Sequence, residues 1–145
     1  MPKHLRIHAV LIVAALFMIL IPLYNQSPDS GKVEQAKPAS VEFLELIDDG
    51  KYAESWESSA SLMRDKVAKN DWVDKLNKAR NLSGGLVQRI QKSASYATEV
   101  EDSPEGEYIM LIYESDFQRA EEVSEYVTVM REGDVWKVAG YFMQQ

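Results

Sequence analysis

The sequence predicts an α+β fold in which N-terminal helices pack on a curved antiparallel sheet, preceded by one hydrophobic transmembrane or signal helix. Three observations lead to this expectation. The chain opens on an unbroken apolar run, its middle part has helical periodicity, and its C-terminal part alternates with a period of two. Helices followed by an antiparallel meander are typical of α+β domains with the helices on one face of the sheet.

The first 27 residues are predicted to be a signal anchor or a signal peptide. Lys3 and Arg6 precede the apolar run at residues 9–21, which is the pattern of an export signal. Residues 7–23 just reach the ~17 residues that a bilayer core requires, and the basic start places the N-terminus in the cytoplasm. A buried core helix would normally show a polar face, and this run has none. Since no convincing cleavage site follows, a bacterial inner-membrane anchor with the domain in the periplasm is favoured over a cleaved periplasmic form.

Residues 28–39 are predicted to be a linker, because they are polar, contain Pro and Gly, and show no periodicity. The folded domain is then expected at residues 40–145. Without Lys3 and Arg6 the chain keeps 14 basic residues against 23 acidic ones, a net charge of −9. Such a surface repels phosphate backbones and anionic lipid head groups, so we expect no nucleic-acid partner and a domain that stands off the membrane.

The residue inventory excludes several chemistries. The chain has no cysteine, which removes disulfides, thiolate nucleophiles and zinc–thiolate sites. Its two histidines, His4 and His8, lie beside the apolar run, so the predicted domain has no imidazole for a Ser–His–Asp triad or for a metal. We therefore expect no catalytic residues, no cofactor and no metal site.

Three helical stretches are expected in the first half of the domain. Ser40 is a plausible N-cap for a helix that runs to Asp49, and Gly50 ends it. A second stretch has apolar positions at helical spacing over residues 51–67, which its serines could interrupt. Asn70 or Asp71 could cap a third helix, which ends at Ser83, Gly84 and Gly85.

The second half is expected to form the sheet. Strands are predicted at residues 86–100 (as one bent strand or two), 107–117, 123–131 and 135–143, with turns at 103–106 and 132–134. Residues 108–113 are apolar on both faces, so this strand should be central or covered twice. In the last strand, strict alternation puts four residues on one face: Trp136, Val138, Gly140 and Phe142.

An ordered series of short motifs resembles a known family. It comprises Phe43-Leu44, Asp48 to Trp56 (DDGKYAESW), Trp72, Leu76, Arg80, Leu82, Gly84, Arg89, Gly106-Glu107-Tyr108, Phe117, Glu125 to Thr128 (EYVT), Gly133, and Trp136 to Phe142 (WKVAGYF). The series resembles the bacterial domain-of-unknown-function family four-thousand-nineteen over nearly all of residues 40–143. The resemblance implies a small exported bacterial protein with a cone-shaped fold like nuclear transport factor 2, also described as cystatin-like. It implies no known activity.

Candidate ligand-binding residues come from two patterns. They are Trp56, Trp72, Arg80, Arg89, Trp136 and Tyr141. The tryptophans could line a cavity for an apolar ligand, although ordinary core packing is the favoured interpretation. The two arginines could converge on an anion, but a structural ion pair with Glu107 or Glu125 is favoured, since carboxylates are abundant.

Two carboxylate groups are weaker candidates. Asp48 and Asp49 could form an acid/base pair with a tyrosine such as Tyr141, but their place beside Gly50 favours a role at the end of a helix. The acidic stretch at residues 99–107 matches no calcium-loop spacing and is expected to be solvated surface.

Three functions remain open at this point. The leading hypothesis is a non-enzymatic accessory domain that binds a protein, a peptide or a small apolar ligand. The alternatives are a cone-fold isomerase or hydratase that uses a carboxylate and a tyrosine, and a homodimeric structural module. The strand that is apolar on both faces favours a dimer or a second covering layer over a free sheet.

Overall fold

The computed structural model describes residues 30–145, so the predicted anchor at residues 1–27 lies outside the described part. The elements are α1 Ser30–Asp48, α2 Tyr52–Glu57, α3 Ser61–Lys66, α4 Lys69–Ser83, β1 Leu86–Ala97, β2 Tyr108–Phe117, β3 Ala120–Glu132 and β4 Val135–Gln144. Helices precede a four-stranded antiparallel sheet, which confirms the α+β prediction. Within residues 30–145, no helix is both long enough and apolar enough to cross a bilayer.

Helix α1 begins ten residues earlier than the predicted cap at Ser40. Residues 30–39 are helical, so the linker expectation for 28–39 is wrong from Ser30 onward. Ala36 and Ser40 are fully buried, and Val33 packs against the core. This burial outweighs the cost of about 3 kcal/mol that Pro38 imposes inside a helix, which explains why local sequence signals failed here.

The serine-rich stretch divides the predicted helix 51–67 into α2 and α3. Ser55, Ser58 and Ser59 each donate a hydroxyl hydrogen bond to the carbonyl three residues back. Such bonds compete with the regular helix ladder. The N–H of Ala60 donates instead to the carbonyl of Val138 (2.7 Å), which ties this connection to β4.

Helix α4 begins at Lys69, and neither predicted cap, Asn70 or Asp71, is used. Ala68 precedes it in an extended conformation and makes no side-chain cap. The predicted end is confirmed, because the helix stops at Ser83 and Gly84 follows at φ +78°.

The sheet order is β1-β2-β3-β4, and every neighbouring pair is antiparallel. The first predicted strand is a single strand whose pairing with β2 shifts at two places, between Leu86 and Gln88 and between Gln91 and Ser93. The predicted hairpin turn between β3 and β4 is confirmed, with Gly133 at φ +66°.

The inner face of the sheet packs against the helices and forms the main core. Its strand members include Ile109, Leu111, Phe117, Val123, Val127, Val129, Val138, Tyr141 and Met143. The β3–β4 pairing shifts between Thr128 and Val129, which inserts one residue into β4. The prediction that Trp136 and Phe142 share a face is therefore wrong. Tyr141 lies on the inner face, and the Phe142 ring stacks on Tyr126 on the opposite, outer face.

Part of the outer face has its own cover. Ala60, Tyr108, Met130 and Ala139 form a second buried cluster, and Leu62 and Val100 pack against it. These two covering side chains come from α3 and from the β1–β2 connection, so the chain itself closes that end of the outer face. Among residues 30–145, no such cluster covers the other end.

Candidate functional site

Four charged side chains meet between the helices and the inner face, and we call them the charge cluster: Asp48, Arg80, Arg89 and Glu125. Asp48 ends α1, and Arg80 lies in the last turn of α4 on the buried side that includes Leu76. Arg89 in β1 and Glu125 in β3 occupy inward positions of their strands. Four separate elements therefore deliver two positive and two negative charges to one place.

Asp48 joins the two arginines. Arg89 donates two hydrogen bonds to its carboxylate, from Nη1 to Oδ2 (2.8 Å) and from Nη2 to Oδ1 (3.0 Å). Arg80 donates from Nη2 to Oδ1 (2.8 Å). The bidentate pair is the strong geometry for a guanidinium and a carboxylate. The guanidinium of Arg80 also lies over the Phe117 ring, 4.7 Å from its centroid.

Glu125 is completely buried and fully supplied with donors. Its carboxylate accepts hydrogen bonds from Arg89 Nε (2.7 Å), Ser115 Oγ (2.6 Å) and the Tyr141 hydroxyl. Nη2 of Arg80 lies 3.9 Å away. A buried carboxylate is tolerated when it is paired and hydrogen-bonded in this way.

The surroundings shift the pKa of two groups in this region, Asp48 and Tyr141. Burial alone would raise the pKa of Asp48, but the hydrogen bonds and charges of Arg89 and Arg80 more than offset it and hold the pKa below its ordinary value. Burial, together with the neighbouring Glu125, raises the pKa of Tyr141 well above its ordinary value. The tyrosine thus stays neutral and donates, and Asp48 stays ionised.

The structure brings four of the six predicted site residues into one region. Tyr141, Arg80 and Arg89 surround Glu125, and the Trp72 ring contacts the Tyr141 ring at 6.2 Å between centroids. Trp72 is fully buried, and its indole N–H donates to Ser55 Oγ (2.9 Å). These side chains form part of the filled core.

The other two tryptophans are partly buried and pack against the main core. The indole N–H of Trp56 donates to the carbonyl of Val67 (2.8 Å), which ties α2 to the end of α3. Trp136 lines a shallow groove between α1 and the β3–β4 hairpin, together with Pro38, Arg131 and Val135. The three tryptophans therefore do not line a common cavity.

The weaker carboxylate candidates do not come together. Asp49 is exposed, whereas Asp48 turns into the charge cluster, so the two form no acid/base pair. Glu99, Glu101 and Glu105 border a surface depression on the β1–β2 connection. Within residues 30–145, no three acidic side chains are placed to hold a metal ion.

Sequence reasoning identified the arginines and named Glu125 as a possible partner, but it missed the bridging role of Asp48 and the support from Ser115. For Ser115 in β2 and Glu125 in β3, the alternation of residues along each strand already predicts that the side chain faces inward. Ser115 falls between the inward-facing Tyr113 and Phe117, and Glu125 falls between Val123 and Val127. A polar residue at an inward strand position predicts a buried partner for it.

A second candidate site is an apolar area on the open end of the outer face. We call it the outer patch and define it by four half-buried side chains: Met110, Ile112, Tyr126 and Phe142. Ile112, Tyr126 and Phe142 are neighbours in one row across β2, β3 and β4. The rings of Tyr126 and Phe142 stack at 4.4 Å with an interplanar angle of 7°. The sequence predicted this area only indirectly, through the expectation that residues 108–113 in β2 are apolar on both faces.

Comparison with known proteins gives one match. No curated protein and no solved structure matches the chain. A family model described as "Protein of unknown function (DUF4019)" matches residues 39–141. This range contains the whole charge cluster and three of the four residues of the outer patch, since Phe142 lies one residue beyond it. The match covers most of the chain and agrees with the resemblance that the short motifs carry. The chain therefore belongs to the DUF4019 family.

Proposed function

We propose that this protein is a non-enzymatic accessory protein of the bacterial cell envelope, in which residues 1–27 anchor the domain to the inner membrane. The domain faces the periplasm and binds a protein partner through the outer patch. In this proposal the fold is a cone like nuclear transport factor 2, and its own helices fill the cone. The observation that carries the proposal is a contrast: the polar groups inside are paired with one another, whereas apolar side chains stay accessible on the outer face.

The filled interior argues against a small apolar ligand. Trp72, Phe43 and Tyr141 pack their rings against one another at 5.8–6.2 Å between centroids, in the place where a ligand of the cone would lie. Ligand sites are usually open concave pockets with a few converging polar groups. The charged groups that converge here already pair with one another, and Nε of Arg80 is the one buried nitrogen or oxygen atom of the cluster without a hydrogen-bond partner among residues 30–145.

The same contacts argue against an isomerase or a hydratase. A general base must be free to accept a proton from its substrate. Glu125 already accepts hydrogen bonds from three side chains, and the lowered pKa of Asp48 disfavours proton uptake near neutral pH. Glu125 and Tyr141 thus have the residue types that such an enzyme uses. Their polar atoms are already hydrogen-bonded within the core, however, and are not free to contact a substrate.

The anchor part of the proposal is testable by cysteine labelling, because the chain contains no cysteine. We would place single cysteines at Ser58, which is exposed on the domain, and at Lys3, before the apolar run. In intact spheroplasts, a membrane-impermeant maleimide should label Ser58→Cys, whereas Lys3→Cys should react only after lysis. Labelling of Ser58→Cys only after lysis would place the domain in the cytoplasm and contradict the proposal.

The binding part is testable by site-specific photo-crosslinking in living cells. A photoreactive phenylalanine analogue replaces Phe142 in the outer patch or, as a control, the exposed Lys78 on α4. We expect a discrete adduct from position 142 and none from position 78. Equal adducts from both positions, or none from position 142, would count against the outer patch as the binding surface.

A further inference from the structure

Resting on the proposed function, we infer that the protein bound to the outer patch is a second copy of this chain. Two anchored domains pair face to face through their outer patches about a two-fold axis. The inference rests on the arrangement of the patch, on its charge and on its area.

The arrangement of the patch is self-complementary. Ile112 on β2 lies directly beside Tyr126 on β3, and Phe142 follows on β4. A two-fold axis parallel to the strands, between β2 and β3, places Ile112 of each copy over Tyr126 of the other. The same surface then serves both copies, as a closed dimer requires.

The outer patch is uncharged, whereas the rest of the domain is acidic. The chain beyond residue 27 has a net charge of −9, so two copies repel each other over most of their surface. The two cross-strand rows that contain the patch run through Ile112 and Met110 and carry only uncharged side chains. In the next row on this face, Glu114 lies 3.9 Å from Lys92. A basic partner would need unpaired carboxylates, whereas this neutral face permits contact between two acidic copies.

The area of the patch predicts a weak dimer that depends on the membrane. The two rows of the patch and the next row, through Ser124, are ~6.8 Å apart on this face and cover ~400 Å² per copy across four strands that are ~4.8 Å apart. A stable dimer between freely diffusing proteins buries ~800 Å² per partner. Anchors that confine both copies to one membrane raise their effective concentration, which compensates for a small interface. A second copy of the same chain carries the same anchor and is therefore confined to the same membrane.

The sheet has two edge strands, β1 and β4, and the edge of β1 is one competing surface for self-association. The shifts in pairing after Leu86 and after Gln91 interrupt its register, and Lys92 lies between Gln91 and Ser93. Bulges and charges on an edge strand hinder pairing with another strand. The β1 edge is thus protected against pairing in a way that the outer patch is not.

The test uses the full-length chain in its own membrane. Ser124 lies on the outer face beside the patch, in register with Glu114 and Gln144. We would treat membranes that contain Ser124→Cys and, as a control, Ser58→Cys on the helical side, with a bis-maleimide whose spacer bridges the ~10 Å between packed sheets. We expect a crosslinked dimer from Ser124→Cys with at least a tenfold higher yield than from Ser58→Cys. Adding Tyr126→Lys should abolish the dimer from Ser124→Cys, and a thermal melt would verify that this variant still folds.

Each other outcome overturns the inference in a recognisable way. Equal dimer yields from the two cysteines would indicate random collision. The absence of a dimer from Ser124→Cys would exclude a second copy. If the photo-crosslinking probe at Phe142 then gives an adduct of a different mass, the proposed function stands with a different partner. If that probe gives no adduct either, the proposed function fails as well.

Discussion

At the scale of single residues, the charge cluster determines how the interior should be interpreted. Arg80 and Arg89 have the residue type of an anion site, but Arg89 donates to both Asp48 and Glu125, and Arg80 donates to Asp48. Such buried pairs rarely add net stability compared with apolar packing, although removal of one partner is costly. We therefore expect variants of this cluster to change folding rather than binding.

Glu125→Gln should lower the free energy of unfolding by about 3–5 kcal/mol, because it removes one charge from a completely buried pair. Glu57→Gln is the matched control, since Glu57 pairs with Lys69 on the surface and should cost less than about 1 kcal/mol. Urea unfolding of both variants measures the difference. Similar losses in the two variants would mean that the cluster is not a structural centre.

The pH dependence should also report on this cluster. The pKa of Asp48 is lower in the folded chain than in the unfolded one, where it is about 3.9. Its contribution to stability is therefore complete above that unfolded value and is lost as the pH falls through the folded pKa. Asp48→Asn should flatten the decline in unfolding free energy at acidic pH. A decline as steep as in the parent chain would contradict this assignment.

The residue types in the interior could be predicted from the sequence, but their partners could not. Alternation along β3 places Glu125 inward, and its need for a partner follows from burial. That Asp48, 77 positions earlier, shares Arg89 with it depends on how α1 crosses the sheet. No local pattern contains that information.

At the scale of elements, the N-terminal half of α1 is the main departure from the prediction. Polar residues and Pro38 suggested a linker, whereas buried Ala36 and Ser40 attach the helix to the sheet. Ser40 Oγ and the Tyr113 hydroxyl share a hydrogen bond of 2.7 Å, and Lys32 pairs with Glu107 nearer the start of the helix. These contacts are long-range, so propensity alone could not reveal them.

Ala36→Glu tests whether this half of the helix belongs to the domain. Since Ala36 is fully buried, the new carboxylate would lack solvent and a partner, and we expect a loss of more than about 3 kcal/mol in unfolding free energy. Gln35→Glu is the control on the exposed side and should change stability by less than about 0.5 kcal/mol. Equal effects in thermal melts would support the linker interpretation instead.

The turn between α4 and β1 depends on a glycine for two reasons. Gly84 has φ +78°, and a Cβ there would lie 2.9 Å from Cβ and Oε1 of Gln118. Gly50 has the same φ, but a Cβ there would meet nothing within 4 Å. Gly84→Ala should therefore cost more than Gly50→Ala, with the latter near the ~1 kcal/mol of the left-handed conformation. Chemical denaturation of both variants measures the difference, and equal costs would contradict the role of the contact with Gln118.

At the scale of the whole molecule, the order of helices and strands could be predicted from the sequence. Which side chains lie on which face of the sheet could be predicted only in part. Periodicity predicted the meander, the hairpin at Gly133 and a β2 strand that is apolar on both faces. The one-residue shift between β3 and β4 reversed the expected face of Phe142 and moved it onto the outer patch. Such a shift depends on pairing between strands, which alternation within one strand cannot reveal.

The central claim is that the interior of this domain is structural and that its outer patch makes the contact with a partner. The most direct test measures the photo-crosslinked adduct at position 142 in full-length chains that carry Ile112→Lys. Because Ile112 is half-buried on the outer face, we expect the adduct to fall at least tenfold while the unfolding midpoint changes by only a few degrees. An unchanged adduct yield in this stably folded variant would contradict the claim.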